Sequence, residues 1–408
     1  MTGLGSAYEP LGRHLEDPYP FFARARREDP VFFSPLFGMH FVTRYDDIVT
    51  ILRDPETFSS RDTIPTHPEM APEVQEALAR YRHPTHLINS DPPDHTRLRG
   101  LVNQGFAPRR IASLEPSVRE IAGALISGFE ADGRADLVEQ LAYPLPLTVI
   151  LRMLGVPPED IDSCKRMSRD ITTWAWGAAT LPSDVLVRCA RGMVEFQDYS
   201  ARLVAARRRE PRDDLISHLV GAHEDGREPL TDDEVVELLP GLILAGHETT
   251  ANLITNTVRV LLANPDQWEA LGTDDELIAP AVEEGLRFDT SVNGMIRTAT
   301  RPVTVGVVPL REGDRLFLLF GSANHDESHY EQPEEFRVSR PGSEPPNVAF
   351  GRGIHFCIGA PLARLEARVA LEQLRDRLAN LRLASDRFEH DPNFLFRGYR
   401  RLDVCWDP

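Results

Sequence analysis

The stretch from residue 350 to residue 360 reads Phe-Gly-Arg-Gly-Ile-His-Phe-Cys-Ile-Gly-Ala. Glycine tolerates positive φ and lets another backbone or a flat ligand come close, so Gly351 and Gly353 predict a tight, irregular loop around Cys357. The residues that follow, from Pro361 to Leu374, have strong helical propensity and begin with a proline, which suits a first helical turn. Cys357 therefore lies just before a helix N-terminus, where free N–H groups favour a thiolate, the form of cysteine that binds metals.

A single cysteine in a glycine-rich turn is more often a buried structural residue than a ligand. Here, however, the whole pattern Phe-Gly-x-Gly-x-His-x-Cys-x-Gly is matched without a gap. This pattern resembles the haem-ligand loop of the cytochrome P450 family. The resemblance implies that Cys357 is the axial ligand to the iron of haem b, with Phe350, His355 and Gly359 in the cofactor-binding loop.

A second segment, residues 91–99, reads Asp-Pro-Pro-Asp-His-Thr-Arg-Leu-Arg and begins a predicted helix with Asp94 as its N-cap. His95 and Arg99 are four residues apart and project from one face of that helix. Taken alone, they are typical of a solvated basic face. The segment resembles the family helix whose histidine and second arginine hold a haem propionate, which implies that role for His95 and Arg99. Arg297 matches the second propionate-binding arginine of the family.

A long helix is predicted from the capping box Thr231-Asp-Asp-Glu to about Asn264. Its middle carries glycine, glutamate and threonine among leucines and isoleucines, and local rules tend to break at functional sites. Residues 245–250, Ala-Gly-His-Glu-Thr-Thr, resemble the oxygen-activation motif of the same family. The resemblance implies that Ala245 and Gly246 belong to the cofactor-binding residues, with Gly246 leaving room for dioxygen, and that Glu248 and Thr249 are catalytic. Glu248 relays protons from solvent, and the Thr249 hydroxyl acts at the oxygen that is activated.

An interior proline, Pro240, is expected to kink this long helix or reshape the cavity. Glu284 and Arg287 form a Glu-x-x-Arg pair, which alone is common on helix surfaces. Arg340 follows at the place expected in the family, so the resemblance implies a buried structural network of these three residues. Gly285 replaces a bulkier residue and is expected to loosen its helix slightly.

Substrate contacts are the least constrained part of the prediction, because each candidate is also compatible with core packing. Trp174 and Trp176 lie near the end of a helix that roofs the substrate cavity in the family. Ser291 stands where the family often has proline, and it leaves the shape of the cavity open. The candidates for substrate contact are Trp174, Leu242, Val292, Asn293, Phe394 and Leu395.

The remaining segments predict mixed structure at the N-terminus, helices through most of residues 111–220, and a hairpin that pairs residues 303–308 with residues 315–320. The resemblance covers essentially the whole chain. It implies a mostly α fold with a small β-rich lobe, the cytochrome P450 fold, with residues 1–408 forming a single catalytic domain.

The composition excludes several other classes of protein. The chain has 408 residues, of which 41% are hydrophobic and 26% charged, and its net charge of −18 argues against non-specific binding to nucleic acid. The first residues show no secretory signal pattern, and no apolar run approaches a membrane span, so a cytoplasmic protein without a membrane partner is expected. Four widely scattered cysteines form no disulfide framework.

The resemblance implies a haem-thiolate monooxygenase that inserts one oxygen atom from O2 into a small hydrophobic substrate, by hydroxylation or epoxidation. No flavin or iron–sulfur segment is present in the sequence, so electrons are expected from a ferredoxin and its NAD(P)H-dependent reductase, to a protein that acts as a monomer. A basic patch of Arg97, Arg109, Arg352 and Arg364 is expected to dock the donor, with a solvated surface role as the alternative. Two other classes stay open: a peroxide-driven, coupling or desaturating enzyme of the same fold, and a non-catalytic haem-binding sensor.

Overall fold

Helices form most of the chain, as its 3.6-residue apolar periodicity predicts. The computed structural model describes residues 3–61, 63, 70–81, 87–177, 181–221 and 228–407. The helices are α1 Leu4–Ala7, α2 Tyr19–Glu28, α3 Tyr45–Arg53, α4 Pro72–Ala77, α5 Asp94–Gly105, α6 Pro108–Ser113, α7 Glu115–Ser127, α8 Pro144–Leu154, α9 Ile161–Gly177, α10 Ser183–Arg209, α11 Leu215–Gly221, α12 Asp232–Leu262, α13 Pro265–Leu271, α14 Ile278–Phe288, α15 Phe320–Ala323 and α16 Ala360–Arg377. Within the described ranges, none of these helices is both long enough and apolar enough to cross a membrane.

The strands are β1 Val31–Ser34, β2 Met39–Val42, β3 Phe58–Ser59, β4 Arg134–Asp136, β5 Gly294–Ala299, β6 Val303–Val305, β7 Val308–Leu310, β8 Arg315–Leu319, β9 Ala379–Leu383 and β10 Asp403–Asp407. In the described chain they form a five-stranded sheet in the order β1-β2-β8-β5-β3, a three-stranded sheet in the order β4-β10-β9, and the pair β6-β7. Strands β2 and β8 are parallel, and the other neighbours in the five-stranded sheet are antiparallel.

The predicted hairpin between residues 303–308 and 315–320 is wrong. Strand β6 instead turns back on β7 across Gly306 and Val307, with Gly306 at φ +59°. Strand β8 lies between β2 and β5 in the five-stranded sheet, and Leu316–Leu319 are all buried. A continuous apolar run of this kind is typical of a central strand covered on both faces, whereas a half-exposed hairpin strand alternates.

The described residues fall into two compact units. One is drawn from Met1–Thr63, Glu115–Leu145 and Thr249–Pro408, and the other from Ile64–Leu114 and Pro146–Glu248. All strands named above belong to the first unit. Its sheet is packed on one side by a cluster of buried aromatic side chains: Tyr8, Phe21, Phe22, Phe32, Phe41 and Phe317.

The second unit is helical in the ranges that the structure describes. Its breaks follow the sequence signals, since Gly155 takes φ +83° after α8 and a proline precedes α10. The buried Arg207 of α10 pairs with Asp214 and donates to the Gly155 carbonyl at 2.8 Å. This pair ties the end of α10 to the loop after α8.

Candidate functional site

The loop before α16 is built by glycines, as predicted. Gly351 and Gly353 have φ of +67° and +71°, a region that favours glycine. A Cβ atom on Gly353 would lie 2.1 Å from the Leu52 carbonyl oxygen at the end of α3. The loop can therefore lie against α3 only with glycine at this position.

Cys357 is fixed by its backbone at the end of this loop. Its N–H donates to the Phe350 carbonyl at 3.0 Å, and α16 begins three residues later with Gly359 as N-cap. The thiol is partly exposed, and the amide N–H groups of the helix N-terminus favour an anionic sulfur at this place. The Phe350 ring lies 4.6 Å from the guanidinium carbon of Arg364.

Arg297, on β5, is a buried cation in the same unit. Its Nη1 donates to the Ile296 carbonyl at 2.7 Å and lies 3.4 Å from the Thr63 hydroxyl oxygen, which itself donates to the Ile296 and Ser60 carbonyls. The guanidinium is thereby held in one place. His355 forms the end of a short 3₁₀ turn, Gly353–His355, two residues before the cysteine.

In the other unit, α5 carries His95 and Arg99. His95 is buried, while Arg99 is half-buried and its Nε donates to the Asn103 side chain at 2.8 Å. The prediction that Asp94 caps this helix is wrong, because the helix already includes Asp94 and its N-cap is Pro93 with αR dihedrals. The carboxylate is thus one position too late to accept the free N–H groups of the first turn.

Helix α12 begins with the predicted capping box. The Thr231 hydroxyl accepts from the Glu234 N–H at 3.1 Å, and the Glu234 carboxylate accepts from the Thr231 N–H at 2.9 Å. The helix then continues through Pro240 without ending. Its central residues are therefore presented from the middle of a long helix, not from a terminus.

One face of this central part of α12 is more exposed than the opposite face. Leu242, Gly246 and Thr249 are half-buried and Ala245 is exposed, whereas Ile243, His247 and Thr250 are buried. Positions 242, 245, 246 and 249 follow the spacing of one helical face. A Cβ atom on Gly246 would make ordinary contact with Ile150, at 3.5 Å, so the neighbouring protein does not itself require glycine there.

Glu248 has a polar neighbour on α12. The buried His247 places Nε2 3.2 Å from Glu248 Oε1, and its Nδ1 lies 2.8 Å from the Ile243 carbonyl. A carbonyl oxygen only accepts, so Nδ1 is the ring nitrogen that carries the proton. The Glu248 side chain is 18% exposed, which leaves the carboxyl reachable by water.

Two of the predicted substrate-contact segments lie against each other. Val292 forms an antiparallel bridge with Phe396, and the Asn293 N–H donates to the Leu395 carbonyl at 2.8 Å. The Asn293 side chain also donates to the Phe394 carbonyl at 3.1 Å. Residues far apart in sequence are thus joined at their backbones.

Phe394 and Trp174 are the aromatic residues among the predicted contacts. The Phe394 ring lies 4.6 Å from Phe37 and 4.5 Å from Phe317, centre to centre, so it packs on the aromatic cluster. This is the core-packing alternative that the sequence left open. Trp174 is half-buried near the end of α9. The side chain of Trp176 lies outside the described residues.

Glu284, Arg287 and Arg340 are brought together as the sequence implied. Arg287 Nε and Nη2 each donate to the Glu284 carboxylate at 2.8 Å, and Arg340 Nε donates to the same carboxylate at 2.8 and 2.9 Å. Gly285 is buried within α14. A Cβ atom there would lie 2.1 Å from the Thr257 hydroxyl oxygen, so glycine allows α14 to pack closely on α12.

The sequence analysis missed a buried ion pair between Asp289 and Arg397, in which Arg397 Nε donates to Asp289 Oδ1 at 2.6 Å. The two residues are 108 positions apart, and neither belongs to a recognisable local motif. No short-range signal could have paired them.

Comparisons with known proteins place this geometry in context. The family model described as Cytochrome P450 matches residues 178–395. Vitamin D(3) 25-hydroxylase of Pseudonocardia autotrophica is 37% identical over 416 aligned positions, covering 100% of this chain and 99% of that protein. Cytochrome P450 monooxygenase PikC of Streptomyces venezuelae is 37% identical over 398 positions, covering 96% and 91%. The solved P450 heme domain of Tepidiphilus thermophilus superposes with a TM-score of 0.93 at 33% identity, covering 99% of this chain and 98% of that one.

Proposed function

The chain belongs to the cytochrome P450 family and is a P450 monooxygenase, and we propose that it inserts one atom of O2 into a small hydrophobic organic substrate, by hydroxylation or epoxidation. In this proposal, electrons come from a ferredoxin and its NAD(P)H-dependent reductase, and residues 1–408 act as one catalytic domain. The single-domain assignment is supported by similarity to the vitamin D(3) hydroxylase along 100% of the chain.

The observation that carries the proposal is the more exposed face in the central part of α12. Small side chains at Ala245 and Gly246 leave space there, and Thr249 presents a hydroxyl on the same face. Glu248, next along the helix, keeps a carboxyl within reach of solvent. A positioned alcohol beside a solvent-linked acid is suited to deliver protons during catalysis.

The residues of this chain fit the haem b that members of the family bind through a cysteine thiolate. Cys357 would hold the iron, because its sulfur lies at the N-terminus of α16. His95, Arg99, Arg297 and His355 would hold the two propionates, since carboxylates bind best to charged hydrogen-bond donors. When bound, the haem supplies the iron that activates dioxygen, and thiolate ligation favours cleavage of the O–O bond.

The protein's own part in the reaction is to exclude water, orient the substrate and move protons. Glu248 takes protons from solvent and passes them to the Thr249 hydroxyl, which donates at the reaction site. Val292 and Asn293, with Leu395 opposite, orient the substrate in this proposal. The names of the relatives support a hydrophobic substrate, since one relative is named for its action on vitamin D(3).

The test compares Thr249→Ala with Thr250→Ala, which removes the neighbouring buried hydroxyl of the same helix. Substrates are first found by spectral titration of hydrophobic compounds, beginning with vitamin D(3), and are then turned over with a surrogate ferredoxin and reductase. Thr249→Ala should keep substrate affinity but lower the product formed per NAD(P)H by about tenfold or more, with hydrogen peroxide released instead. Glu248→Gln should slow the whole cycle.

Three outcomes contradict the proposal. If Thr249→Ala forms as much product per NAD(P)H as the parent, the Thr249 hydroxyl takes no part in the reaction. Product formed with peroxide alone, and none with the electron donors, would assign the protein to the peroxide-driven class. A protein that binds haem but turns over no compound by either route would be a sensor.

A further inference from the structure

The two backbone segments that carry Val292 and Leu395 are held by more than the bridge between them. We call residues 289–293 the first segment and residues 393–397 the second. The Arg397 N–H donates to the Ser291 carbonyl at 2.9 Å, at the end of the second segment. Together with the Val292 bridge and the Asn293 bonds, this contact makes the two segments one piece.

The Arg397 side chain anchors this piece to the N-terminal part of the chain. Its Nε donates to Asp289 at 2.6 Å, and its Nη1 and Nη2 donate to the carbonyls of Leu15 at 2.7 Å and Glu16 at 2.9 Å. Arg397 as a whole is 7% exposed. The N–H donors of its planar guanidinium bind three different partners. One side chain thus joins the second segment, the first segment and residues 15–16.

The Asp289 carboxylate is equally enclosed. Besides Arg397, it accepts hydrogen bonds from the hydroxyls of Tyr19 at 3.1 Å and Tyr399 at 3.2 Å. Burial alone raises the pKa of this carboxyl, but Arg397 and His390 outweigh burial, and the pKa lies below its ordinary value. Asp289 is therefore an anion at neutral pH.

A third residue connects the piece to α12. Asn256 is fully buried, and its side-chain amide donates both to the Asp289 carbonyl at 2.9 Å and to the Arg397 carbonyl at 3.0 Å. It lies about two helical turns after Thr249 on α12. The helix that carries the proposed proton donor therefore contacts both segments through a single amide.

We propose that Asn256, Asp289 and Arg397 are positioning residues that fix both substrate-contact segments against α12 and so determine which part of a substrate stands next to Thr249. The inference rests on the proposed function, because it takes Val292, Asn293 and Leu395 as substrate contacts. None of the three positioning residues needs to touch the substrate. Their effect is on where the contacting residues stand.

Two variants loosen the piece to different degrees. Arg397→Lys keeps a positive charge near Asp289 but loses the fork that reaches three partners. Asn256→Ala removes only an uncharged amide. The matched control is Arg400→Ala, which breaks an exposed ion pair with Asp391, at 3.5 Å, just after the second segment.

The measurement is haem absorbance titration with two probes, imidazole and 4-phenylimidazole. Imidazole binds at the iron and makes little contact with the cavity wall. The phenyl ring of 4-phenylimidazole, by contrast, must pack against that wall. In both test variants, the ratio of the Kd for 4-phenylimidazole to the Kd for imidazole should rise by about tenfold. In Arg400→Ala the ratio should stay within about twofold of the parent, because exposed ion pairs contribute little. Product distribution from any turned-over substrate should broaden in the same two variants.

The carbon monoxide spectrum and the thermal midpoint distinguish residues that position the substrate contacts from residues that only stabilise the fold. A lower midpoint with an unchanged ratio, in a variant that keeps the thiolate spectrum, overturns the proposal. Loss of haem from both variants also overturns it, because the residues would then belong to the fold rather than to substrate position. The titration requires no turnover, so a parent protein that oxidises nothing refutes the proposed function and still permits this comparison.

Discussion

Glu366 of α16 is a buried carboxyl that the proposed reaction does not use. It is 1% exposed, and its Oε2 has no hydrogen-bond partner in the described part of the chain. Burial raises its pKa well above the ordinary value of 4.5, because the charged form is poorly solvated there. Above pH 4.5 the unfolded chain therefore releases a proton that the folded protein keeps, and the folded state loses stability as the pH rises through this range.

We expect Glu366→Gln to be more stable than the parent at pH 7 by about 1 kcal/mol, which for a protein of this size raises the thermal midpoint by roughly 1 °C. The difference should shrink towards pH 4.5, where the carboxyl is half protonated even in the unfolded chain. Thermal unfolding between pH 4.5 and pH 8 measures it, with the exposed Glu269→Gln as the control. A gain that does not depend on pH would show that ionisation of Glu366 is not the cause.

Cys357 is the second residue whose role can be tested alone. The reduced protein with carbon monoxide should show the red-shifted absorption band of a thiolate ligand, because a helix N-terminus favours the thiolate form of a cysteine. Cys357→His should lose that band, whereas Cys405→Ala, a substitution in β10, should keep it. Retention of the band in Cys357→His would mean that another residue binds the iron.

At the scale of elements, the packing of α14 on α12 depends on one glycine. Because a Cβ atom on Gly285 would lie 2.1 Å from Thr257 Oγ1, we expect Gly285→Ala to destabilise the fold by about 1–2 kcal/mol, in spite of the higher helix propensity of alanine. Removing the opposing side chain with Thr257→Ala in the same protein should recover part of the loss. The coupling between the two substitutions is measured by chemical unfolding of the four proteins in a double-mutant cycle.

Gly241→Ala is the matched control for this prediction. It also replaces a helical glycine, on α12, but a Cβ atom there would meet nothing within 4 Å. It should therefore be neutral or stabilising by up to about 1 kcal/mol. Equal destabilisation by both alanines would show that the effect comes from the helix backbone rather than from the contact with Thr257.

Elements were predictable where their signals are local. The capping box at Thr231 and the glycines of the cysteine loop each act within a few residues, and the structure reproduces them. The predictions failed where the structure of a segment depends on a partner that is distant in sequence. Strand β4 pairs with β10, about 270 residues later, and residues 134–136 show no periodicity of their own. Before α14, residues 275–277 form a 3₁₀ turn that is capped by the Asp274 side chain.

The candidate site likewise contains residues with a local sequence signal and residues without one. The motifs around Cys357 and Glu248 are continuous in sequence, so their residues could be named in advance. Asn256, Asp289 and Arg397 could not, because each is ordinary in its own neighbourhood and is recognised only by bonds that span 33 to 382 residues. Long-range polar contacts of this kind cannot be predicted from hydrophobic periodicity or from secondary-structure propensity.

At the scale of the whole molecule, a net charge of −18 is expected to repel an acidic electron donor unless a local patch is basic. The structure limits how basic that patch is. Arg364 pairs with Glu283, and Arg97 pairs with Glu234, so both charges are partly neutralised. Arg109 is exposed, and Arg352 is half-buried and donates to the Asn347 carbonyl at 2.8 Å. We therefore expect Arg109 and Arg352 to contribute most to docking.

The rate of reduction by ferredoxin should fall by roughly tenfold as the ionic strength rises from about 10 mM to about 0.5 M, because salt screens the attraction. Arg109→Ala and Arg352→Ala should each weaken this dependence, while Arg13→Ala, an exposed arginine outside the patch, should not. Stopped-flow reduction at several salt concentrations measures the slope. A rate that does not change with salt would exclude electrostatic docking.

The bond from Arg397 to the Glu16 carbonyl spans 381 residues. At the usual speed of bacterial and eukaryotic protein synthesis, about 5–20 residues per second, roughly 20 to 80 s pass between the emergence of one partner and that of the other. For all of that time the carbonyls of Leu15 and Glu16 lack the Arg397 guanidinium, and the second substrate-contact segment is not yet complete. The nascent chain must therefore keep its N-terminal segment free from misfolding and proteolysis by other means until Arg397 has been synthesised.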